Sequence, residues 1–206
     1  MAPPPRNQRK PPVTRGLRVG GRSQRVVSTV LAAAAEELAR RGYVAFQIEE
    51  VARAAEVNRT SIYRRWPTKA RLVEAALREV SPFRSQPLTG DLERDLFAML
   101  VQVVRWLRTT QGQSIRRMVE LDAHEPELAR IVEALREESL EPWDQAISAA
   151  KQRGELAQKL DARLLTHMIL APVVMRIEIG ERVDTRTLNT IVGIVVGGAR
   201  GVRSAR

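Results

Sequence analysis

The sequence predicts an all-α fold of about nine helices, arranged as a three-helix N-terminal unit followed by a larger helical domain. Three observations carry this. Ala, Leu, Arg and Glu dominate the 206 residues while aromatic residues reach only 4%, a composition that favours helices. Apolar residues recur at three- and four-residue steps along most of the chain. No hairpin dipeptide separates alternating apolar runs, so no sheet is expected.

The elements follow in order. Residues 1–21 contain five prolines, three glycines and no acidic residue, and such a segment is expected to stay disordered when free. Helical periodicity starts near Ser23 and places Val27, Val30, Leu31, Ala34 and Leu38 on one face. Gly42, after Arg40 and Arg41, ends that helix. A short second helix covers Ile48 to Ala55, and Glu56 and Val57 make a turn. A third covers Asn58 to Arg65, with Asn58 as its cap and Pro67 as its stop. Thr68 caps a fourth, whose apolar face is Leu72, Ala76, Leu77 and Val80. The proline-containing stretch from Ser81 to Thr89 reads as a connection between domains. Five more helices are expected behind it: Asp91 to Thr109, Ser114 to Asp122, Glu127 to Gln152 (bent at Pro142), Asp161 to Ile179, and Thr185 to Arg200. The divisions are thus an arm at 1–21, an N-terminal helical unit at 22–81 and a larger helical domain at 82–206.

Charge is unevenly spread. Residues 1–80 hold 16 Lys and Arg against 7 Asp and Glu, whereas the rest hold 18 against 17. A basic segment joined to a neutral remainder suits a polyanion-binding module carried by something else. The absence of cysteine excludes disulfides, zinc fingers and thiol chemistry. The longest apolar run, from Ile191 to Ala199, falls far short of the roughly 20 residues that span a bilayer. The basic N-terminus lacks the apolar centre of a signal peptide. A cytoplasmic protein without a membrane partner is expected.

The segment from Gln47 to Trp66 fits a helix-turn-helix template. Ala52 is small where the two helices approach each other. The sharp turn comes four residues later, at Glu56, and Ile62, ten residues after Ala52, pins the second helix to the first. That geometry presents the second helix to a major groove. Its exposed residues suit DNA. Arg59 can hold a guanine edge with two hydrogen bonds or bind phosphate. Thr60 and Ser61 can reach bases or phosphates, Tyr63 a phosphate, and Arg64 and Arg65 add charge. Thr68 and Lys69 open the next helix as an anion site, and Gln47 stands similarly at the start of the second helix. Arg22 and Arg25 are the arm-side candidates for DNA contact, ahead of Arg6, Arg9, Lys10, Arg15 and Arg18.

The run VARAAEVNRTSIYRRWPTKARLVEAAL resembles the DNA-binding domain of tetracycline-repressor-like (TetR-type) regulators. Gly42, Tyr43, Tyr63, Trp66, Pro67, Thr68 and Lys69 meet that family's pattern at its spacing. The stretches ISAAKQRGEL and ILAPVV look like one subgroup of the family's C-terminal domain, so the resemblance covers about Ser23 to Gly198. One departure is Glu56, which stands where the family usually has glycine. A left-handed turn at a non-glycine residue costs roughly 1 kcal/mol.

The resemblance implies a homodimer, with the last two helices pairing with their copies through Leu164, Leu165, Met168, Leu188, Ile191, Val192 and Val195. A near-palindromic double-stranded operator follows from a two-fold reader. It also implies a pocket for a small apolar or aromatic ligand, for which Phe97, Val101, Arg105, Met118, Trp143, Met168 and Met175 are the candidates, with Arg117 or His167 as further polar handles. Three readings of function stand. They are a repressor whose operator affinity a ligand lowers, a DNA-binding activator or architectural factor without an effector, and an all-helical enzyme with a basic tail. No catalytic set supports the last. Glu120, Asp122, His124 and Glu125 read as a solvated loop before Pro126 rather than a metal site. The glycines between Gly16 and Gly21 follow no strand, so they are not a dinucleotide fingerprint. No cofactor is expected.

Overall fold

A computed structural model of the chain describes residues 21–81 and 87–202. Within them the chain forms nine helices and no strand: α1 (Gly21–Arg41), α2 (Ile48–Ala54), α3 (Arg59–Arg65), α4 (Lys69–Val80), α5 (Leu92–Leu107), α6 (Thr110–Leu121), α7 (Pro126–Gln152), α8 (Ala162–Glu178) and α9 (Thr185–Gly201). The arm candidates from Arg6 to Arg18 lie outside the described residues.

Local chemistry sets the helix starts. Asn58, Thr68, Asp91, Thr109, Asp161 and Asp184 each accept a hydrogen bond from a backbone N–H in the first turn of the helix they precede. These bonds satisfy donors that a helix cannot pair internally. The caps explain one correction to the sequence reading, which begins α6 at Ser114. The helix starts at Thr110, because the Thr109 hydroxyl takes the Gly112 N–H at 2.9 Å. Gly112 is not a breaker here. A Cβ at this position would sit 2.2 Å from the Trp106 carbonyl oxygen, so only glycine lets the α5–α6 corner close. The long helix α7 runs through Pro142 as one element.

The α2–α3 turn is left-handed at Glu56, with φ 53°. Glu56 N–H donates to the Arg53 carbonyl and Val57 N–H to the Ala52 carbonyl, which together make a Schellman ending. The same paired bonds end α7 at Gly154 and α8 at Gly180. Glu56 therefore occupies a place that glycine fills in the other two.

Two cores organise the packing. The first gathers α1 to α4 around Leu38, Val51, Ile62, Leu72 and Val73. It also includes Ile115 and Met118 of α6 and Leu128 and Ile131 of α7, so packing crosses the Ser81–Thr89 connection. The second gathers α5, α7, α8 and α9 around Leu96, Leu100, Trp143, Ile147 and Ile169. Trp106 packs against both.

Polar ties reinforce the joint. The Arg78 guanidinium grips the Glu138 carboxylate with two hydrogen bonds, at 2.9 and 2.6 Å, joining α4 to α7. That bond holds the Glu138 carboxyl below the usual carboxylate range. The buried Asp95 carboxylate accepts from the backbone N–H and hydroxyl of Thr89, which fixes the approach to α5.

Candidate nucleic-acid interface

The reading unit is built from α2, its turn and α3. Ala52 and Ile62 are both buried in the first core, as their ten-residue spacing requires. Ile62 is the single buried residue of α3. The rest of the helix therefore faces outward, and Arg59, Thr60, Ser61, Tyr63, Arg64 and Arg65 are all exposed. The helix carries no acidic residue and ends in two arginines.

Each candidate has a definite place. The Asn58 side chain accepts the Thr60 N–H at 2.8 Å, so it caps α3 and orients its first turn. Arg59 Nη1 donates to Glu49 Oε1 at 2.8 Å, and its guanidinium carbon lies 5.8 Å from the Tyr63 ring centre. The Glu49 carboxyl is held below its ordinary range, first by its own backbone N–H and then by Arg59. Arg65 stands 5.7 Å from the Trp66 ring centre. The Thr68 hydroxyl accepts the Arg71 N–H at 3.2 Å and so caps α4. Gln47 precedes α2 without a side-chain cap bond. Arg25 is exposed near the start of α1. Arg22 is helical, and its side chain lies outside what the structure describes.

Lys69 is more constrained than a free phosphate ligand. Its ammonium donates to the Tyr43 carbonyl at 2.7 Å and sits 4.2 Å from the Tyr43 ring centre. Tyr43 is buried and is itself held from the other side. Its N–H donates to Asp122 Oδ2 at 2.6 Å, and its hydroxyl donates to the Glu127 carboxylate. Burial, with Glu127 beside it, pushes the Tyr43 phenol pKa upward. One aromatic residue thus joins the start of α4 to the α6–α7 corner. Sequence reasoning overlooked this joint, and it also overlooked Glu49. A signal for Glu49 existed: it precedes Arg59 by ten residues, the same interval that brings Ala52 and Ile62 together.

A cavity of about 330 Å³ opens where α4 meets α5 to α8. Its buried walls are Leu77, Ile115 and Leu140. Val80, Trp106, Val119, Val132, Leu135, Ser139 and Leu170 are half-buried, and the exposed Arg136 and His167 stand at the rim. None of the seven residues expected at a pocket lines it. Trp143 and Met118 are buried in the two cores, and Phe97 and Val101 pack against the second. Arg105 is exposed, as are Met168 and Met175, at 52% and 61%. Size and chemistry do not decide wall position, which depends on which helix face meets α4.

The residues expected at a dimer face divide between buried and outward positions. Leu165, Leu188 and Val192 are buried in this chain's own core. Ile191 and Val195 pack partly against it. Leu164 and Met168 do project outward on α8, joined there by Met175, just after its end by Ile179, and on α9 by Ile194.

An exposed basic reading helix on a helical body defines a helix-turn-helix DNA-binding regulator. The chain belongs to the tetR family of bacterial regulatory proteins. Residues 30–76 match that family's model, and residues 86–195 match the model of the tetracyclin repressor-like C-terminal domain. The chain is 29% identical over 172 residues to the DNA-binding transcriptional repressor TetR of Mycobacteroides abscessus, an alignment covering 82% of this chain and 90% of that one. The crystal structure of the TetR family transcription regulator SCO0332 is similar with a TM-score of 0.63 and 26% identity, covering 84% of this chain and 97% of the other. The fold is also that of the regulator FadR from Bacillus subtilis in complex with stearoyl-CoA, with a TM-score of 0.64 and 21% identity over 83% of this chain and 98% of that one. Regulators of this family bind operator DNA, form dimers and bind small molecules. They are transcription regulators rather than enzymes. Among the described residues no helix is long and apolar enough to cross a membrane.

Proposed function

We propose that the chain is a homodimeric repressor that reads a near-palindromic operator through α3 and leaves it when an apolar ligand fills the cavity beneath α4. The observation that carries the reading is the surface of α3. A helix of seven residues buries only Ile62 and turns Arg59, Thr60, Ser61, Tyr63, Arg64 and Arg65 outward, the set that base edges and phosphates require. Thr68 and Lys69 add a backbone contact at the start of α4, and Gln47 and Arg25 flank the same face.

The outward row of Leu164, Met168 and Met175 on α8 and Ile179 just after it, with Ile194 on α9, supports the dimer, because exposed apolar side chains on these helices call for a cover. A mostly apolar cavity within the usual size range of ligand sites supports the effector. Stearoyl-CoA in the FadR complex carries a long apolar chain, in keeping with walls of this kind. Leu77 and Val80 of α4 form part of the wall. A ligand that prefers a different placement of α4 therefore disfavours the DNA-bound placement by the same free energy.

Selection of bound duplexes from a random pool tests this, run in parallel with Arg59→Ala. We expect an enriched near-palindrome whose preference is relaxed at one base position per half-site in the variant, with binding weaker by about 1–3 kcal/mol. Enrichment without symmetry, or an unchanged preference in the variant, rejects this account of operator reading. Release of the selected duplex by a titrated apolar compound then tests the effector arm.

A further inference from the structure

We propose that Glu49 is a positioning residue for base reading: it holds one end of the Arg59 guanidinium so that the opposite edge is presented to the major groove. The inference rests on the reading of α3 given above.

The argument is stereochemical. A guanidinium offers five donors in a rigid plane, and a guanine edge takes two of them. Here Nη1 is engaged by Glu49 Oε1 at 2.8 Å. The contact uses one donor nitrogen, so the Nε–Nη2 edge keeps the pair of parallel donors that guanine needs. The guanidinium carbon also lies 5.8 Å from the centre of the Tyr63 ring, over which it sits. Arg59 is thus constrained by α2 through Glu49 and by its own helix through Tyr63. A long, exposed side chain is otherwise free to swing onto the nearest phosphate.

Position and charge state agree with this role. Glu49 lies in the first turn of α2, where a carboxylate is favoured by the helix dipole. Its carboxyl stays ionised at neutral pH, being held below its ordinary range. Its neighbour Glu50 pairs instead with Arg53, at 2.7 Å, so the two acids of this turn have separate partners. An acidic residue at a phosphate-facing surface weakens attraction to every DNA sequence alike. Its presence makes sense where it gains discrimination through the arginine it holds.

The stability of an exposed pair is small, so the proposal concerns orientation. Without Glu49, Arg59 takes phosphates on any duplex. The expected signature of Glu49→Gln is a rise in affinity for random DNA, a steeper salt dependence by about one counterion, and a several-fold fall in the ratio of operator to random binding. Base preference should relax at the same position that Arg59→Ala relaxes, and at no other.

The experiment measures binding of the selected operator, its single-base variants and a random duplex, across a salt series. It uses the full-length wild type, Glu49→Gln, Arg59→Ala and the double variant, with circular dichroism to confirm equal helicity. In the Arg59→Ala background, adding Glu49→Gln should leave base preference unchanged, because nothing remains to be positioned. If Arg59→Ala relaxes one position and Glu49→Gln relaxes none, the positioning role is overturned while operator reading by Arg59 stands. If Glu49→Gln strengthens binding to all duplexes equally in both backgrounds, Glu49 is only a repelling charge, and the proposal is overturned. If Arg59→Ala relaxes no position, the role assigned to Arg59 fails and this inference fails with it.

Discussion

The two cores of this chain are built differently. The second is drawn from helices of the C-terminal body alone, with Trp143, Ile147 and Ile169 packed among α5, α7, α8 and α9. The first belongs by sequence to the DNA-reading head, yet Ile115, Met118, Leu128 and Ile131 reach into it from α6 and α7. About 60 residues bury a modest share of their surface, and outside side chains supplement the interior. The sharing is confined to the side of the head where α1 and α4 meet α6 and α7.

Substitutions in the two cores sharpen that contrast. Trp143→Ala should have the largest effect, about 3–5 kcal/mol of lost stability. It acts on the body, so near-native head packing at temperatures below the transition is expected. Leu128→Ala should cost about 2–5 kcal/mol, and it acts across the joint. Although Leu128 lies on α7, backbone amides of α1 and α4 should lose hydrogen-exchange protection along with those of α7. Protection lost only in α7 breaks the claim that this core is shared.

A smaller effect is expected from Tyr43→Phe. It deletes the hydroxyl that donates to Glu127 but keeps the ring beneath Lys69 and the N–H bond to Asp122. About 1 kcal/mol of stability should be lost, measured by denaturant midpoint, with operator affinity reduced less than by Lys69→Ala. A larger loss of affinity for Tyr43→Phe means that the hydroxyl, rather than the ring and carbonyl, positions Lys69.

Glu56→Gly is the mildest change and has the opposite sign. Relief of the left-handed conformation should stabilise the chain by about 1 kcal/mol, before subtracting the extra freedom glycine has when unfolded. A clearly lowered melting temperature means that Glu56 makes interactions that outweigh the strain of its left-handed conformation.

Most of the fold was legible because its punctuation is local. Asn58, Thr68, Asp91, Asp161 and Asp184 announce helix starts by their own chemistry, and the Ala52–Glu56–Ile62 spacing specifies the reading unit. The start of α6 reads four residues late in the sequence, at Ser114, because it is set by the Thr109 cap and by the room Gly112 leaves for the Trp106 carbonyl, neither of which shows in apolar periodicity. The cavity was illegible for a similar reason. Its walls depend on which face of α7 meets α4, and large apolar residues such as Trp143 fill cores as readily as they line pockets. Which residues of α8 face outward was only partly legible, because the helix is apolar around much of its circumference. Leu164 and Leu165 differ by one position, and packing alone sends one outward and the other inward. Glu49 was within reach, since the ten-residue interval was already in use for Ala52 and Ile62.

The position of α4 has a consequence for scale. Its 12 residues make a rod of about 18 Å, with Leu77 and Val80 at the cavity and Thr68 and Lys69 at the far end. Tilting such a rod by about 10° about its cavity end sweeps the other end through about 3 Å. That nearly equals the roughly 3.4 Å step between neighbouring bases on one strand. Two heads moved this way in opposite senses fall out of register with a rigid double helix by more than a full base pair, while no side chain in the cavity needs to move by more than a fraction of that distance.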